Sequence, residues 1–324
     1  MSPAPDADLG FMTIVEASRQ IATGALSPVE LMAAHLRRIE ALGPRLDAFL
    51  LLDADKAMAG AKAAEQAIAA GRRLGPLHGI PFGLKDIVDT AGIRTTCHSK
   101  ILKDNVPKTD AVVAARLKAA GAILVGKLAT HEFALGGPAF DLPWPPARNP
   151  WNRDCHPGGS SSGSGAAIAS GMLPMAIGTD TGGSVRNPAS SCGIVGMKAT
   201  YGRVSRAGVF PLSFSLDHIG PMTRTVADNA LMLQAIAGPD AWDPASAAVS
   251  VPNFSSGIGK GVKGLQVGYL RHWHETDLPA HPDMAAGLDD AVAALADAGA
   301  VVKDVAFAPL AALAACNRVI LVSE

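Results

Sequence analysis

Two stretches of this 324-residue chain concentrate glycine beside small hydroxyls: Gly158-Gly159-Ser160-Ser161-Ser162-Gly163-Ser164-Gly165, and later Gly178-Thr179-Asp180-Thr181-Gly182-Gly183-Ser184-Val185-Arg186. Glycine loses more conformational entropy on folding than other residues. A cluster of it inside a well-patterned chain therefore points to backbone that must turn tightly or present N–H groups to a ligand. The chemistry such a block supports is acyl transfer, which needs a nucleophile, a base and donors aimed at a developing oxyanion. Ser184, preceded by Thr181-Gly182-Gly183, has the residue types for nucleophile and donors in one turn.

Two other readings of these residues fail on context. Gly159-Ser160-Ser161-Ser162-Gly163 matches a GxSxG elbow in form, but an elbow follows an apolar strand, and Arg148-Asn149-Pro150-Trp151-Asn152-Arg153-Asp154 is polar and contains proline. Gly121-Ala122-Ile123-Leu124-Val125-Gly126-Lys127-Leu128 has the outline of a phosphate loop, yet Leu128 replaces the required Ser or Thr and the apolar residues suit a buried strand. His131 and His218 have nothing to set them beside a serine, and His272-Trp273-His274 lacks a third ligand, so no metal is expected there.

With Gly79-Ile80-Pro81-Phe82-Gly83-Leu84-Lys85-Asp86 upstream, and Met197-Lys198-Ala199-Thr200-Tyr201-Gly202-Arg203-Val204-Ser205 and Leu216-Asp217-His218-Ile219-Gly220-Pro221-Met222 downstream, the order and spacing of the blocks resemble the amidase signature family from about Leu9 onward. The resemblance implies Ser184 as nucleophile, Ser160 as a bridging serine entered through a cis Gly159-Ser160 peptide, and Lys85 as base. It places Thr181, Gly182 and Gly183 at the oxyanion hole and Ser161, Asp180 and Arg186 in the supporting hydrogen-bond network. The reaction it implies is hydrolysis of a carboxamide to a carboxylate and ammonia or amine through an acyl-enzyme, with no metal or organic cofactor required. For Lys85 to accept a proton its ammonium must be destabilised, and a shift from ~10.4 to ~7.5 corresponds to about 4 kcal/mol of differential solvation. Ile80, Phe82, Leu84 and Ile87 are the apolar neighbours suited to impose it. Ser162 stands where most members of the family have glycine.

These residues need a frame. Ser27-Pro28-Val29-Glu30 predicts a helix from there to about Leu42, and the Ala-rich stretch from Ala54 to Ala70 a second, largely solvent-facing one. A strand at Ile80–Leu84, a helix at Thr109–Ala120 and a strand at Ala122–Val125 follow; later come a helix opened by Thr225, a strand at Leu265–Leu270, a helix at Pro282–Ala298 and a strand at Val301–Val305. The alternation predicts an α/β architecture. The resemblance specifies it as one amidase-signature domain, a mixed central sheet covered by helices on both faces. Its parts are N-terminal helices over about 9–72, a catalytic core over about 73–238, and a C-terminal portion over 239–324 that ends mid-helix, so the fold is expected to be incomplete at that end. The proline-rich segment 138–159 predicts a long loop, either functional or covering.

Charge is nearly balanced, 28 Lys and Arg against 29 Asp and Glu, which leaves no basic field for nucleic acid. Four dispersed cysteines without a CxxC pair suit a reducing cytoplasm, and the acids and prolines of Met1–Gly10 lead to the expectation of no secretory signal. The longest stretch free of Asp, Glu, Lys and Arg, Cys155 to Thr179, is so rich in Gly and Ser that it predicts a loop, not a membrane anchor. The expected partner is a small amide; a homodimer is allowed, and Phe140, Leu142, Trp144 and Trp151 hint at an aryl or alkyl group. Two alternatives stand beside the amidase. One is the related A subunit of glutamyl-tRNA(Gln) amidotransferase, against which the apolar segment Gly137–Trp144 speaks; the other is an inactive, truncated binding or structural protein.

Overall fold

The computed structural model describes residues 9–324, which divide into two compact units, one ending at Ser255 and one running from Ser256 to Glu324. The first contains strands β1 (Phe49–Leu52), β2 (Pro81–Lys85), β3 (Ile123–Leu128), β4 (Met175–Asp180), β5 (Val195–Gly196) and β6 (His218–Thr223). They form a mixed six-stranded sheet in the order β1-β3-β2-β4-β6-β5. β2 lies between β3 and β4 and is parallel to both, while β6 returns antiparallel to β4. Its helices are α1 (Ile14–Thr23), α2 (Pro28–Leu46), α3 (Ala54–Ala69), α4 (Val112–Ala119), α5 (Ser162–Ala169), α6 (Arg186–Cys192) and α7 (Val226–Ile236).

Alternation along the strands sends side chains to two cores. On one face Phe82, Leu84, Met175 and Ile177 pack with α1, α4 and α7; on the other, Ile123, Val125, Leu128 and Ala176 pack with α3 and α5, and α2 contributes to both through Leu31 and Met32. The mixed sheet with helices on both faces is the architecture expected from sequence.

Local chemistry accounts for the element ends. Ser27 and Glu30 form the anticipated capping box, with Ser27 Oγ accepting from Val29 N–H at 2.9 Å and Glu30 Oε2 from Ser27 N–H at 2.9 Å. α2 continues past the expected end, through Pro44, because burial of Leu46 holds the last turn. The 155–179 segment departs from expectation: it contains α5 and β4 as well as loop. Helix propensity is poor for Gly and Ser, but here tertiary packing decides, since a side chain at Gly163 would run into the backbone of Ala48 and Ala129. Ser164 Oγ donates to Ile177 O at 3.0 Å, tying α5 to β4.

In the second unit β7 (Gln266–Tyr269) and β8 (Val301–Asp304) pair in parallel across α8 (Pro282–Asp297), and α9 (Leu310–Ser323) follows. Arg271 gathers the carboxylates of Glu275, Asp289 and Asp304 there. Among the described residues no helix is long and apolar enough to cross a membrane.

Candidate active site

Parallel strands β2 and β4 end side by side, and in open α/β sheets the crevice beyond such carboxyl ends is where ligands bind. Lys85 is the last residue of β2, and Thr179 and Asp180 are the last two of β4. The Lys85 side chain is fully buried; its Nζ donates to Ser160 Oγ and to Thr179 Oγ1, both at 2.7 Å. Ile80, Phe82, Leu84 and Ile87, its neighbours in sequence, are buried as well. This burial pushes the amine down to about 7, against the opposing pull of the Asp217 and Asp180 carboxylates.

Ser160 is buried, and the Gly159-Ser160 peptide is cis. The Ser161 hydroxyl bridges the β4 main chain, accepting from Thr179 N–H at 3.2 Å and donating to Thr179 O at 3.3 Å. Gly178 makes that approach possible, since a Cβ there would stand 2.7 Å from Ser161 Oγ and 2.8 Å from the Met222 sulfur. Ser162, the departure from the family pattern, opens α5 in helical conformation and directs its hydroxyl at Ala129 O, 3.4 Å away. A side chain is tolerated there because the backbone has no left-handed turn to make.

Asp180 organises the second glycine turn. Its carboxylate accepts from Gly183 N–H at 2.8 Å, from Val185 and Arg186 N–H at 3.3 Å, and from the Arg186 guanidinium through two bonds of 2.9 Å. Burial alone would raise this carboxyl, but Arg186 and the backbone donors outweigh it and hold the group below the usual carboxylate range. Thr181 Oγ1 donates to Asp217 Oδ1 at 2.5 Å. Ser184 is half-buried, and its carbonyl accepts from Ser161 N–H at 3.3 Å, so the two serine segments meet through the backbone. Among the described residues no hydrogen bond joins the Ser184 and Ser160 hydroxyls, and the Gly183 N–H is already taken by Asp180.

Sequence reasoning missed several neighbours. Thr179 and Asp217 meet the site only once β4 and β6 pair, with Asp180 opposite His218. They also line a cavity of about 220 Å³ with Ile87, Val209, Phe210 and Leu212. The buried Lys127 bonds Thr95 Oγ1 at 2.7 Å and pairs with Asp86 at 3.6 Å, so it belongs to a strand, as the rejection of a phosphate loop requires. His218 contacts Leu216 O and Lys198, and among the described residues it has no hydrogen bond to a serine. Of the loop aromatics, Trp144 packs in the α3/α5 core, and Trp151, 75% exposed, bonds Cys192 O at 2.8 Å. Phe140 stacks on Arg148.

The family model for Amidase matches residues 30–324. A curated relative, the A subunit of glutamyl-tRNA(Gln) amidotransferase from Geobacter metallireducens, is 48% identical over 298 residues, covering 92% of this chain and 61% of that one. The native peptide amidase of Stenotrophomonas maltophilia superposes with a TM-score of 0.88 at 34% identity, over 99% of this chain and 67% of its own. A solved chain described with a vestigial protein complex that reveals the origins of an s-triazine catabolic enzyme gives 0.90 at 37% identity, over 97% of this chain and 67% of its own. The present chain thus spans about 60% of the length of the curated relatives it matches.

Proposed function

The chain belongs to the amidase family, and from that premise we propose that it hydrolyses the C–N bond of a small carboxamide through an acyl-enzyme, with Ser184, Ser160 and Lys85 as its catalytic residues. The observation that carries the proposal is Lys85, a buried amine held to about 7 and bonded to Ser160 Oγ at 2.7 Å. An amine that is half discharged at neutral pH is a competent general base. Lys85 draws the proton of Ser160, Ser160 draws that of Ser184, and the Ser184 alkoxide adds to the amide carbonyl. The proton returns along the same path to the departing nitrogen, and water then cleaves the acyl ester.

The turn of Thr181, Gly182 and Gly183 serves as the oxyanion cradle. Because Gly183 N–H already donates to Asp180, the donors for the oxyanion come from its neighbours in that turn. Asp180 with Arg186 keeps the turn in shape, and Ser161 ties the Ser160 segment to β4. The two compact units are read as parts of one amidase-signature domain, in support of which the family match runs through both.

A second reading is the A subunit of a glutamyl-tRNA(Gln) amidotransferase, favoured by the 48% identity to the protein of that name. The two are separated by ammonia release from a panel of aryl, alkyl and peptide amides and glutamine, each with wild type and Ser184→Ala. Release from the amides that vanishes in the variant supports the amidase; release from glutamine alone supports the second reading. A folded wild-type chain that releases nothing overturns both.

A further inference from the structure

A buried imidazole, His131, lies against the loop that carries Ser160. Its main-chain N–H donates to Ser160 O at 3.1 Å, and its ring fills the space where a side chain at Gly159 would stand. Its Nδ1 is 3.1 Å from Gly136 O, and its Nε2 is 3.3 Å from Nε2 of the exposed His156. On the far side, His156 Nδ1 accepts from Gly158 N–H at 3.0 Å.

These contacts fix both tautomers. A neutral imidazole carries one N–H. Because His156 Nδ1 accepts, its proton is on Nε2 and points at His131; His131 Nε2 therefore accepts, and its proton sits on Nδ1 facing Gly136 O. Donors and acceptors alternate without conflict from Gly158 to Gly136. The turn so anchored is itself unusual, since Phe133 and Ala134 take φ values of 50° and 63°, which side-chain-bearing residues hold only when their surroundings require it.

We propose that His131 and His156 are positioning residues, a two-imidazole clamp that holds Gly158-Gly159-Ser160 against the 131–136 turn and so keeps the Ser160 hydroxyl on Lys85. The inference rests on the reading of Ser160 as the bridge between Lys85 and Ser184. The clamp exists only while both rings are neutral. A proton on His156 Nδ1 would face the Gly158 N–H, and one on His131 Nε2 would face the His156 N–H. The surroundings favour neutrality: burial, then the neighbouring His156, push His131 down to about 4, and Lys85 and His98 act in the same direction while the Gly136 carbonyl opposes them. Burial lowers His156 as well.

Two measurements test the clamp. Long-range proton–nitrogen correlation spectra of the folded chain near neutral pH should show His131 as the Nδ1–H tautomer and His156 as the Nε2–H tautomer; the reverse tautomer at His156 overturns the proposal. The second follows labelling of Ser184 by a serine-directed fluorophosphonate, with Ser184→Ala as control. His156→Asn can still accept from Gly158 N–H but cannot reach His131, and its surface position leaves folding intact. Its maximal labelling rate should fall about tenfold, with the half-saturating concentration unchanged. Below about pH 5 the wild-type rate should fall with a steeper slope than that of the His131→Asn/His156→Asn double variant, in which neither group titrates. A wild-type rate and acid limb in His156→Asn overturn the proposal. A wild-type chain that takes no label removes the acyl-transfer reading, and the clamp then stands or falls on the tautomers alone.

Discussion

Thr179 Oγ1 and Lys85 Nζ are 2.7 Å apart, the same separation that Lys85 keeps from Ser160 on its other side. A discharged amine has a single lone pair, and an N–H directed at Thr179 leaves that lone pair free to face Ser160. Thr179→Val preserves shape and removes the bond. Its kcat on a responsive amide is expected to fall about tenfold, roughly 1.4 kcal/mol, with KM little changed. Steady-state kinetics of the variant decide it: an unchanged kcat makes Thr179 a packing residue only.

The pH dependence has a definite sign. In the proposed mechanism Lys85 acts as the base and must be without its proton; because it is held to about 7, that mechanism predicts that kcat/KM rises with pH through that value and levels above it. A pH–rate profile between mild acid and mild alkali reads this directly, and an acid limb centred near the carboxylate range would assign the base elsewhere.

Burying Lys85 carries a cost in stability that its removal should reveal. The unfolded amine keeps its proton to 10.5 whereas the folded one releases it at about 7. Between those values the unfolded chain binds more protons, so wild-type stability climbs with pH. Lys85→Met should therefore be inactive yet more stable than wild type by about 1–4 kcal/mol near neutrality, with the gap narrowing as the pH is raised toward 10.5. Denaturant unfolding of both proteins at two pH values checks the magnitude and the trend.

Asp180 is the opposite case, a buried charge whose partners repay it. Asp180→Asn keeps the size but weakens the bonds to Arg186 and to the turn at 183–186, and should cost about 2–4 kcal/mol. Arg186→Met should cost less, because the Arg186 side chain is 54% exposed and its ion pair is partly screened. Thermal unfolding of the two variants gives the ranking; equal losses would mean that the backbone donors contribute little.

Lys85, Ser160, Ser161 and Asp180 entered the sequence reading through blocks that resemble the amidase signature, whereas the residue types alone pointed only to Ser184 and the turn before it. Thr179 and Asp217 were not, since nothing local distinguishes them and their place beside the lysine arises from strand pairing. The sheet was legible in part. β2 and β3 announce themselves as apolar runs between helices, whereas β5 is two residues long and exists only by pairing with β6. The largest misreading, 155–179 as loop, came from trusting propensity where volume rules. A segment of Gly, Ala and Ser has little intrinsic structure, and the space between the sheet and the outer helices is what makes residues 162–169 helical.

That confinement has a consequence for how the chain can change. Seven of the eight residues of α5 are buried, and the helix contains nothing larger than Ile168. Freedom to mutate is therefore limited there by steric volume, whatever happens to the chemistry beside it. In a library randomised at 163–167 and sorted for folding alone, with no demand for catalysis, the survivors should still be drawn from Gly, Ala and Ser, so that a chain which had lost every trace of enzymatic work would go on wearing this part of the motif.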